Sequence, residues 1–372
     1  MIKVLNILET ISSGGVERRR LSLAKLLDKK EFELKIICTH AVGDFPDEFK
    51  KHGVEIIVIG NPNPTRNYKS YLKVIKVIKE FKPDIIHGAV FEGVTLAAIT
   101  GFLCRVPAVV IEETSDPQNR TWKGNLLMRF FSLLSDKVVG VSPAAVNYLI
   151  HKIKINPNKV QLIENGILIP REVSVLEQQK LKSQLGIFEN EIVIGSVGRM
   201  LMDSHKRFSD LINAFKLLLD KNIKAKLILV GDGKERDNYI ELTKKLKIED
   251  NVQFVGYHTD TEKFYSIFDI FSLVSAREAF GLVLAEAMLH KLPIVATRVG
   301  GMQYIVDDNE TGFLVERYNV NEIAEKLELL CNNHDLTIKM GKKGYEKAMN
   351  NYTEEIYINK VASLYMELMK FR

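Results

Sequence analysis

The sequence predicts an α/β protein made of two doubly wound domains in series, each with a parallel sheet between layers of helices. Three observations lead to this prediction. Short, almost continuously apolar runs rich in β-branched residues alternate with amphipathic helical patterns along nearly the whole chain, and such runs are typical of parallel strands buried on both faces. The alternation pauses near the middle and then restarts. At 372 residues the chain is also long enough for two domains of ordinary size.

The first domain is predicted over residues 1–168. Its strand candidates are, in chain order, IKVLNIL, ELKIICT, VEIIVIG, DIIHGAV, AVVIEE and KVVGVS. Amphipathic stretches such as ERRRLSLAKLLDKK and YKSYLKVIKVIKEF lie between them and predict the covering helices.

A linker is predicted over residues 169–188, where the pattern changes to a proline, a polar turn and a short helix. The second domain follows over residues 189–352, with the strand candidates EIVIGSVGRM, KLILVGDG, NVQFVGY, DIFSLVS and LPIVATRVG. The last helix, residues 353–372, can pack on either domain, including back on the first. Two such domains facing each other form a cleft lined by the carboxyl ends of their strands, where ligands of open α/β sheets bind.

Composition excludes several classes of protein. The net charge of +5, from 52 basic and 47 acidic residues, is too small to predict a nucleic-acid partner. The N-terminus lacks the features of a signal peptide, and polar residues interrupt the most apolar stretch, residues 85–103. Few and distant cysteines predict neither a disulfide framework nor a metal site, so we expect a soluble cytoplasmic protein. These cysteines are Cys38, Cys104 and Cys331.

Loops at the predicted strand ends carry the candidate binding residues. Gly14 and Gly15 follow the first strand and precede a helix, so the backbone can approach an anion that the helix N-terminus attracts. The alternative is a simple tight turn, since no G-x-G-x-x-G spacing is present. In the second half, Arg199 ends a strand and Lys206 follows seven residues later. Two such cations suit a diphosphate, and the alternative is a solvated loop.

Two further loops complete the candidate site. Gly256 and Tyr257 end the strand QFVGY, where backbone groups can contact a nucleobase edge and the ring can stack on it, although an aromatic there is more often core or rim. The stretch EAFGLVLAE places Glu278 in a loop and Glu286 inside the following helix. The orphan N–H groups of that helix, at Phe280, Gly281 and Leu282, suit a phosphate. A carboxylate at the depth of Glu286 needs polar partners such as sugar hydroxyls; the alternative is two surface glutamates.

Taken together, these motifs make the chain similar to retaining glycosyltransferases of the GT-B fold, specifically the fourth sequence family. The most specific element is the E-x7-E signature formed by Glu278 and Glu286. Supporting motifs occur in the order typical of the family, namely GGVE, DIIHG, VVGVS, ENGI, VGRM, LVGDG, FVGY and VGGMQYIVDDNETGFLV. The resemblance extends over nearly all of the chain. It implies two Rossmann-like domains that face each other across a cleft.

The resemblance also implies roles for the candidate residues. Glu286 would hold the ribose hydroxyls of a nucleotide-sugar, and Glu278, the catalytic candidate, would contact the transferred sugar and face its anomeric centre. Arg199 and Lys206 would neutralise the diphosphate, together with N–H groups around Gly281, Leu282 and Gly15. UDP is the favoured donor nucleotide because it is the commonest in the family. No metal or other cofactor is expected, since these cations and the helix N-terminus can stabilise the leaving group.

The chain departs from the family pattern at three places. Ala279 and Lys291 stand where glycine is usual. The histidine that many members have beside the sugar is replaced by the stretch EETSDP, which contains Thr114, Ser115 and Asp116. His87 ends a different strand and is a candidate for the acceptor side of the cleft, although a lone histidine is more often structural.

The acceptor is expected to be a glycan or a lipid-linked glycan in cell-envelope polysaccharide biosynthesis. The stretch RNYKSYLKVIKVIKEFK predicts a basic amphipathic helix that can bind an anionic membrane surface. Its basic residues are Arg66, Lys69, Lys73, Lys76, Lys79 and Lys82, and its apolar stripe is Leu72, Ile75, Ile78 and Phe81. Arg18, Arg19 and Arg20 would add to this charge, so we expect peripheral binding at the inner face of the cell membrane. The alternative is an ordinary domain helix with its lysines in solvent.

Two other functions remain open at this stage. A nucleotide-sugar epimerase on the same scaffold would use similar phosphate-binding groups but would need acid and base residues around the sugar. A non-catalytic nucleotide-sugar-binding protein would keep the donor groups and lack turnover.

Overall fold

The computed structural model describes residues 1–12, 14–43, 45–60, 64–115 and 120–370. The chain forms two compact units, one of residues 1–166 with 354–372 and the other of residues 167–353. Each unit has a parallel sheet with helices packed on it. The predicted fold class, two Rossmann-like α/β domains, is confirmed.

The first unit alternates strands and helices from its N-terminus. Its strands are β1 (Ile2–Ile7), β2 (Thr10–Ile11), β3 (Phe32–Cys38), β4 (His40–Ala41), β5 (Glu55–Val58), β6 (Ile85–Ala89), β7 (Ala108–Glu113), β8 (Lys137–Gly140) and β9 (Val160–Leu162). Its helices are α1 (Gly15–Leu26), α2 (Phe45–Lys51), α3 (Tyr68–Phe81), α4 (Val90–Leu103), α5 (Trp122–Leu133) and α6 (Pro143–Asn147), with a π-helical turn at Tyr148–Lys152. The main sheet has the order β5-β3-β1-β6-β7-β8-β9.

The second unit repeats this architecture. It contains α7 (Val175–Gln184), β10 (Ile192–Val197), α8 (Asp203–Lys206), α9 (Phe208–Asp220), β11 (Ala225–Val230), α10 (Arg236–Leu246), β12 (Val252–Gly256), α11 (Glu262–Tyr265), β13 (Ile270–Leu273), α12 (Leu282–Leu289), β14 (Ile294–Thr297), α13 (Met302–Ile305), β15 (Gly312–Val315), α14 (Val320–Cys331) and α15 (His334–Asn351). The sheet order is β12-β11-β10-β13-β14-β15.

The strand order locates a switch point in the second sheet. From β10 the chain proceeds outward through β11 and β12, and it then returns to place β13 on the other side of β10. In open parallel sheets, the loops after the two strands at such a point diverge and leave a crevice for ligands. The loops after β10 and β13 are those that carry Arg199, Lys206 and Glu278.

The division into two units assigns residues 169–188, predicted as a linker, to the second unit. The segment contains α7, whose start is fixed by a capping box between Ser174 and Glu177. Arg171 also pairs with Glu177 and Asp260, each at 3.3 Å. A local cap and these ion pairs give residues 169–188 a defined place in the unit.

The last helix, α16 (Glu354–Lys370), belongs to the first unit. Tyr357, Val361, Leu364 and Tyr365 are at most 3% exposed and pack in a core cluster with residues of β1, β3, β6 and β7. The chain therefore leaves the first unit, forms the second and returns. The sequence left both placements of this helix open.

The buried face of α3 differs from the predicted apolar stripe. Its buried residues are Ser70, Val74, Val77, Ile78 and Phe81. Leu72 is 56% exposed and Ile75 only partly buried, so these two members of the predicted stripe lie outside the core face. The lysines of α3 are exposed, as expected of either interpretation of this helix.

Candidate active site

The loops at the switch point of the second sheet bring Lys206 and Glu278 together across 72 residues of sequence. Lys206 Nζ donates a hydrogen bond to Glu278 Oε2 over 2.6 Å. The two side chains are 23% and 21% exposed, so each retains access to a ligand. The structure thus places a cation and a carboxylate side by side at the end of the sheet.

The turn that carries Lys206 is anchored by Asp203. The carboxylate of Asp203 accepts hydrogen bonds from the Ser209 N–H at 3.1 Å and the Tyr239 hydroxyl at 2.9 Å. It also accepts one from Arg207 at 3.1 Å. Arg207 has a left-handed φ of 52°, which ends the short helix α8 and starts α9. These contacts hold Lys206 close to the end of β10.

Two backbone features bring the Lys206 turn against the Glu278 loop. The Ala276 N–H donates to the His205 carbonyl oxygen over 2.8 Å. The Lys206 stem passes over Gly198, where an added Cβ would lie 3.7 Å from the stem and 3.3 Å from the Phe208 ring. The glycine of VGRM therefore leaves room mainly for the Phe208 ring, while the lysine stem lies at an ordinary contact distance.

The Glu278 loop rests on Gly300 and Gly301, whose part in the site the sequence did not reveal. The Gly301 N–H donates to the Glu278 carbonyl oxygen over 3.0 Å. A Cβ on Gly300 would lie 1.8 Å from that same oxygen, and one on Gly301 would lie 2.3 Å from the Ala279 carbonyl oxygen. Only glycine permits the two carbonyl oxygens to approach so closely. The sequence shows the pair in the motif VGGMQ, but it does not show that the pair contacts the Glu278 loop.

Glu286 is held by two aromatic side chains that the sequence did not single out. The Tyr265 hydroxyl donates to Glu286 Oε2 over 2.8 Å. The Tyr265 ring stacks on His290 at 4.9 Å between centroids, and His290 Nδ1 lies 2.9 Å from the Glu286 carbonyl oxygen. Because a carbonyl only accepts, Nδ1 carries the ring proton; burial lowers the pKa of His290, which keeps the ring neutral. Tyr265 lies in KFYSIFD, where nothing distinguishes it from its aromatic neighbours.

The N-terminus of α12 lies between the two glutamates. Gly281 is its N-cap residue with a φ of 99°, and no side chain caps the helix. Leu282 begins the helix and is partly buried. The Phe280 side chain is 3% exposed and packs edge-on against Tyr352, so only its backbone is left for a ligand.

Of the remaining predicted residues of this unit, Arg199 and Tyr257 are exposed and Gly256 is half-buried. Arg199 is exposed, and no hydrogen bond or ion pair joins its guanidinium to another residue that the structure describes. Tyr257 is 56% exposed at the end of β12. Gly256 has a φ of 80°, and its carbonyl oxygen accepts from the Gly231 N–H over 2.8 Å. Among the residues described, no hydrogen bond or ion pair joins these three to Lys206 or Glu278.

Comparison with known families identifies the chain. The model described as Glycosyltransferase Family 4 matches residues 13–169, and the one described as Glycosyl transferases group 1 matches residues 177–347. The chain belongs to this glycosyltransferase family. The family and the GT-B fold class predicted from the sequence are therefore confirmed.

Individual relatives support the same conclusion. N-acetyl-alpha-D-glucosaminyl L-malate synthase of Bacillus anthracis is 31% identical over 247 residues, which are 66% of this chain and 63%, less than two thirds, of that protein. The capsular polysaccharide biosynthesis glycosyltransferase CapM of Staphylococcus aureus is 27% identical over 315 residues, 81% of each protein. The crystal structure of Anabaena HepE in complex with UDP-glucose has a TM-score of 0.87 at 22% identity, covering 99% of this chain and 100% of that one. This last likeness concerns the fold.

Several predicted residues of the glycosyltransferase lie in its first unit. Gly14 is the N-cap residue of α1 and Gly15 its first residue, as the strand-to-helix turn predicted. Ser115 bonds to Glu113 through its N–H and its hydroxyl, at 3.2 and 2.7 Å, and Thr114 precedes it at the end of β7. Asp116 lies outside the described residues.

His87 does not line a ligand site, so its prediction as an acceptor-side residue was wrong. It is 1% exposed. His87 Nε2 lies 3.3 Å from a Glu112 carboxylate oxygen, and Nδ1 lies 2.7 Å from the Tyr365 hydroxyl. Arg20 pairs with the same carboxylate and donates to the Tyr357 hydroxyl over 3.1 Å. This buried cluster, here called the Arg20 cluster, joins α1, β6, β7 and α16.

The charges of the Arg20 cluster are strongly coupled. Burial and the neighbouring Arg20 lower the pKa of His87 to about 4. Burial by itself would raise the pKa of Glu112, but Arg20 and His87 lower it to about 2. Burial raises the pKa of Tyr357 to about 12. The cluster thus contains a neutral histidine and a paired carboxylate and guanidinium at neutral pH.

The predicted basic surface is smaller than expected. Arg19 and Arg20 are 5% and 0% exposed, so they cannot meet a membrane as the sequence suggested. Within the described residues, no three His, Cys, Asp or Glu side chains are arranged as metal ligands. In that same part of the chain, no helix has both the length and the apolar character needed to cross a bilayer.

Proposed function

We propose that this glycosyltransferase transfers a sugar from a nucleotide-diphosphate donor, with a UDP-sugar favoured, to a glycan or lipid-linked acceptor with retention of anomeric configuration. The observation that carries the proposal is the 2.6 Å contact between Lys206 and Glu278 at the sheet switch point. In the donor, one oxygen joins the β-phosphate to the anomeric carbon. A cation for the phosphate and a carboxylate for the sugar must therefore be neighbours, as these two residues are.

The other candidate residues are assigned to the donor in the same proposal. Glu286 holds the ribose hydroxyls with the lone pairs that Tyr265 leaves unused. Arg199 forks onto the diphosphate, because its guanidinium is exposed and has no partner among the residues described. N–H groups at Gly281, Leu282 and Gly15 add to this cradle, while Gly256 and Tyr257 contact the base.

In the proposed reaction the acceptor oxygen attacks the anomeric carbon on the face from which the diphosphate departs. The bond from the anomeric carbon to the phosphate oxygen breaks as the new glycosidic bond forms, and the acceptor proton passes to the departing phosphate. Negative charge grows on the diphosphate, where Lys206 and Arg199 stabilise it. Glu278 contacts the sugar hydroxyls beside the anomeric carbon. We propose that transfer needs no metal ion, and that turnover in EDTA equals turnover without it.

Relatives support the donor class and the biological setting. HepE has been crystallised with UDP-glucose, the B. anthracis enzyme is named for an N-acetylglucosaminyl product, and CapM is named for capsular polysaccharide biosynthesis. We extend these to a role in cell-envelope polysaccharide biosynthesis in the cytoplasm, with the acceptor bound by the first unit at an anionic membrane surface.

Substitution of the two glutamates tests the proposal. Glu278→Gln and Glu286→Gln keep shape and remove charge, so transfer from UDP-sugars should fall by at least about a hundredfold with an unchanged melting temperature. Glu241→Gln, an exposed pair partner of Lys244, is the matched control and should keep full activity. Full turnover in both site variants would exclude the assignment.

Donor specificity and reaction class need separate measurements. A thermal-shift panel of UDP, GDP and ADP should give the largest stabilisation with UDP, because a ligand stabilises the state it binds. NMR of the donor incubated alone separates a transferase from an epimerase, since only the epimerase changes the sugar's configuration. NMR of the product gives the anomeric outcome, and donor binding without turnover on any acceptor pool would indicate a binding protein.

A further inference from the structure

The helix α5 (Trp122–Leu133) in the first unit exposes most of its large apolar side chains. Trp122 is 71% exposed, Leu126 62%, Phe130 48% and Leu133 71%. Their spacing of four, four and three residues places them on one side of the helix. We call these four residues the α5 stripe. Leu127 beside it is 42% exposed, whereas Met128, Phe131 and Ser132 are buried.

An exposed stripe of this size differs from ordinary surface composition. Single exposed leucines are common on soluble proteins, but contiguous large apolar side chains mark an interaction surface. Two more large apolar residues, Phe102 and Leu103 at the end of the neighbouring helix α4, are 60% and 62% exposed. Phe102 and Leu103 lie outside the buried cluster beneath, to which α4 and α5 contribute Val94 and Met128.

The charged residues of α5 and its flanking positions are all basic. Residues 120–134 contain Arg120, Lys123 and Arg129 and no acidic residue. Lys123 and Arg129 are exposed, while Arg120 pairs with Glu113. The helix α3, with its exposed lysines, packs against α4, which in turn packs against α5. The stripe therefore has exposed basic side chains on its own helix, and the lysines of α3 lie beyond α4, which carries Glu92 and no basic residue.

We propose that the α5 stripe inserts into the interfacial region of an anionic membrane, with Lys123, Arg129 and the lysines of α3 attracting the lipid headgroups. A helix with Trp, Leu and Phe on one side and Lys or Arg beside them has the composition of an interfacial membrane helix. A second copy of the chain fits less well, because a symmetric contact would bring Lys123 and Arg129 of both copies together with no acidic residue on the helix. The purpose of this membrane binding, access to a lipid-linked acceptor, rests on the proposed function.

The sequence predicts membrane contact for α3, whereas in this proposal α3 and α5 have different parts. Outside its core face α3 exposes Tyr68 and Leu72 among its large apolar residues. It therefore supplies charge, whereas α5 supplies the apolar area that inserts. Charge attracts the surface at long range, and apolar burial gives the affinity that survives salt screening.

Trp122 provides a direct reporter, because it is the single tryptophan of the chain. With vesicles containing phosphatidylglycerol, the full-length protein should show a blue shift of tryptophan emission and quenching by brominated acyl chains. Neutral phosphatidylcholine vesicles should bind much less, and high salt should weaken binding to the anionic ones. The paired variant Leu126→Gln with Phe130→Gln should lower the vesicle partition coefficient at least about tenfold.

Leu176→Gln is the matched control, since Leu176 is 75% exposed on α7 of the second unit. It should bind vesicles like the unsubstituted chain. Equal loss in both variants, or an unshifted Trp122 emission with anionic vesicles, would overturn the proposal. A blue shift that depends on protein concentration without vesicles would overturn it too, in favour of self-association. Turnover with a soluble acceptor should be unchanged in the paired variant, so vesicle binding and transferase activity can fail independently.

Discussion

Glu286 is held from two sides by Tyr265 and His290, and the three residues form one connected cluster. The tyrosine hydroxyl fixes one carboxylate oxygen at 2.8 Å, while the histidine fixes the backbone of the same residue at 2.9 Å. Stacking between the two rings at 4.9 Å connects the supports. A carboxylate oriented in advance loses less entropy when it binds hydroxyl groups.

Tyr265→Phe removes the hydroxyl and keeps the packed ring. A hydrogen bond to a charged group contributes roughly 1.5–3 kcal/mol, so KM for the donor should rise about tenfold or more while kcat changes little. Steady-state kinetics with varied UDP-sugar measure this split. Tyr345→Phe, in α15, serves as a control and should leave KM unchanged. A fall in kcat alone would contradict a positioning role for Tyr265.

His87 and Glu112 make the first unit sensitive to acid. The pKa of His87 is about 4 in the fold, below its ordinary value near 6.5. The unfolded chain therefore binds a proton at a higher pH than the folded chain, so this histidine lowers stability as the pH falls from 6.5 to 4. The pKa of Glu112, about 2 instead of 4.5, lowers stability further as the pH falls from 4.5 to 2.

His87→Gln should flatten this dependence between pH 6.5 and 4. One pKa unit corresponds to about 1.4 kcal/mol, so the histidine accounts for a loss on the order of 3 kcal/mol by pH 4. Urea unfolding of the variant and the unsubstituted chain at several pH values measures the slope, which is independent of any constant loss from the substitution. Identical slopes for the variant and the unsubstituted chain would contradict a lowered pKa of His87 in the folded protein.

At the scale of elements, the loop after β14 supports the loop after β13. Gly300 has a φ of 48° and lies so close to the Glu278 carbonyl oxygen that a Cβ would be 1.8 Å away. The loops that follow two neighbouring strands are thus packed tightly together. The position of Glu278, the catalytic candidate, depends on Gly300, 22 positions later in the sequence. Rigid support of this kind is what a precise site requires.

Gly300→Ala should displace the Glu278 loop and reduce turnover by more than about tenfold, since small displacements of reacting groups have large effects on rate. Gly186→Ala is the control, because Gly186 also has a positive φ, of 61°, but nothing within 4 Å of an added Cβ. Each substitution carries a backbone cost of roughly 1 kcal/mol. Activity measured beside the melting temperature separates the two effects, and equal turnover in both variants would argue against loop support.

At the scale of the whole molecule, the first unit depends on both ends of the chain. α16 supplies five buried residues of its core cluster and the two tyrosine hydroxyls that bond Arg20 and His87. Without them, a guanidinium and a histidine would be left with fewer buried partners, at a cost of several kcal/mol.

Deletion of residues 354–372 should therefore unfold the first unit and leave the second folded. Hydrogen exchange resolved by peptide should show protection lost over residues 1–166 and kept over residues 167–353. Deletion of residues 371–372 alone is the control and should change nothing. Protection retained in the first unit after the longer deletion would mean that α16 is dispensable for its fold.

Local patterns in the sequence determined a large part of this protein. Continuous apolar runs predicted β1, β3, β5, β6, β7 and β8 and the strands β10 to β14. A strand in a covered parallel sheet is apolar at consecutive positions, and this pattern can be recognised in each segment by itself. The apolar runs missed β2, β4 and β9, which are only two or three residues long, and also β15, whose four residues match the length of β13 and β14. The E-x7-E spacing likewise identified the family and placed Glu278 and Glu286 correctly in a loop and a helix.

Tertiary structure decided the rest, because it depends on which element lies beside which. His87 and Arg20 read as candidates for a surface until α16 covered them from more than 250 residues away. The core face of α3 and the exposed stripe of α5 depend on the neighbours against which each helix packs. The periodicity of the sequence does not predict those neighbours. Gly300, Gly301 and Tyr265 became parts of the site only through contacts with Glu278 and Glu286. A sequence records which side chains avoid water, whereas the partners of a buried charge or a close-packed glycine are set by the folded chain as a whole.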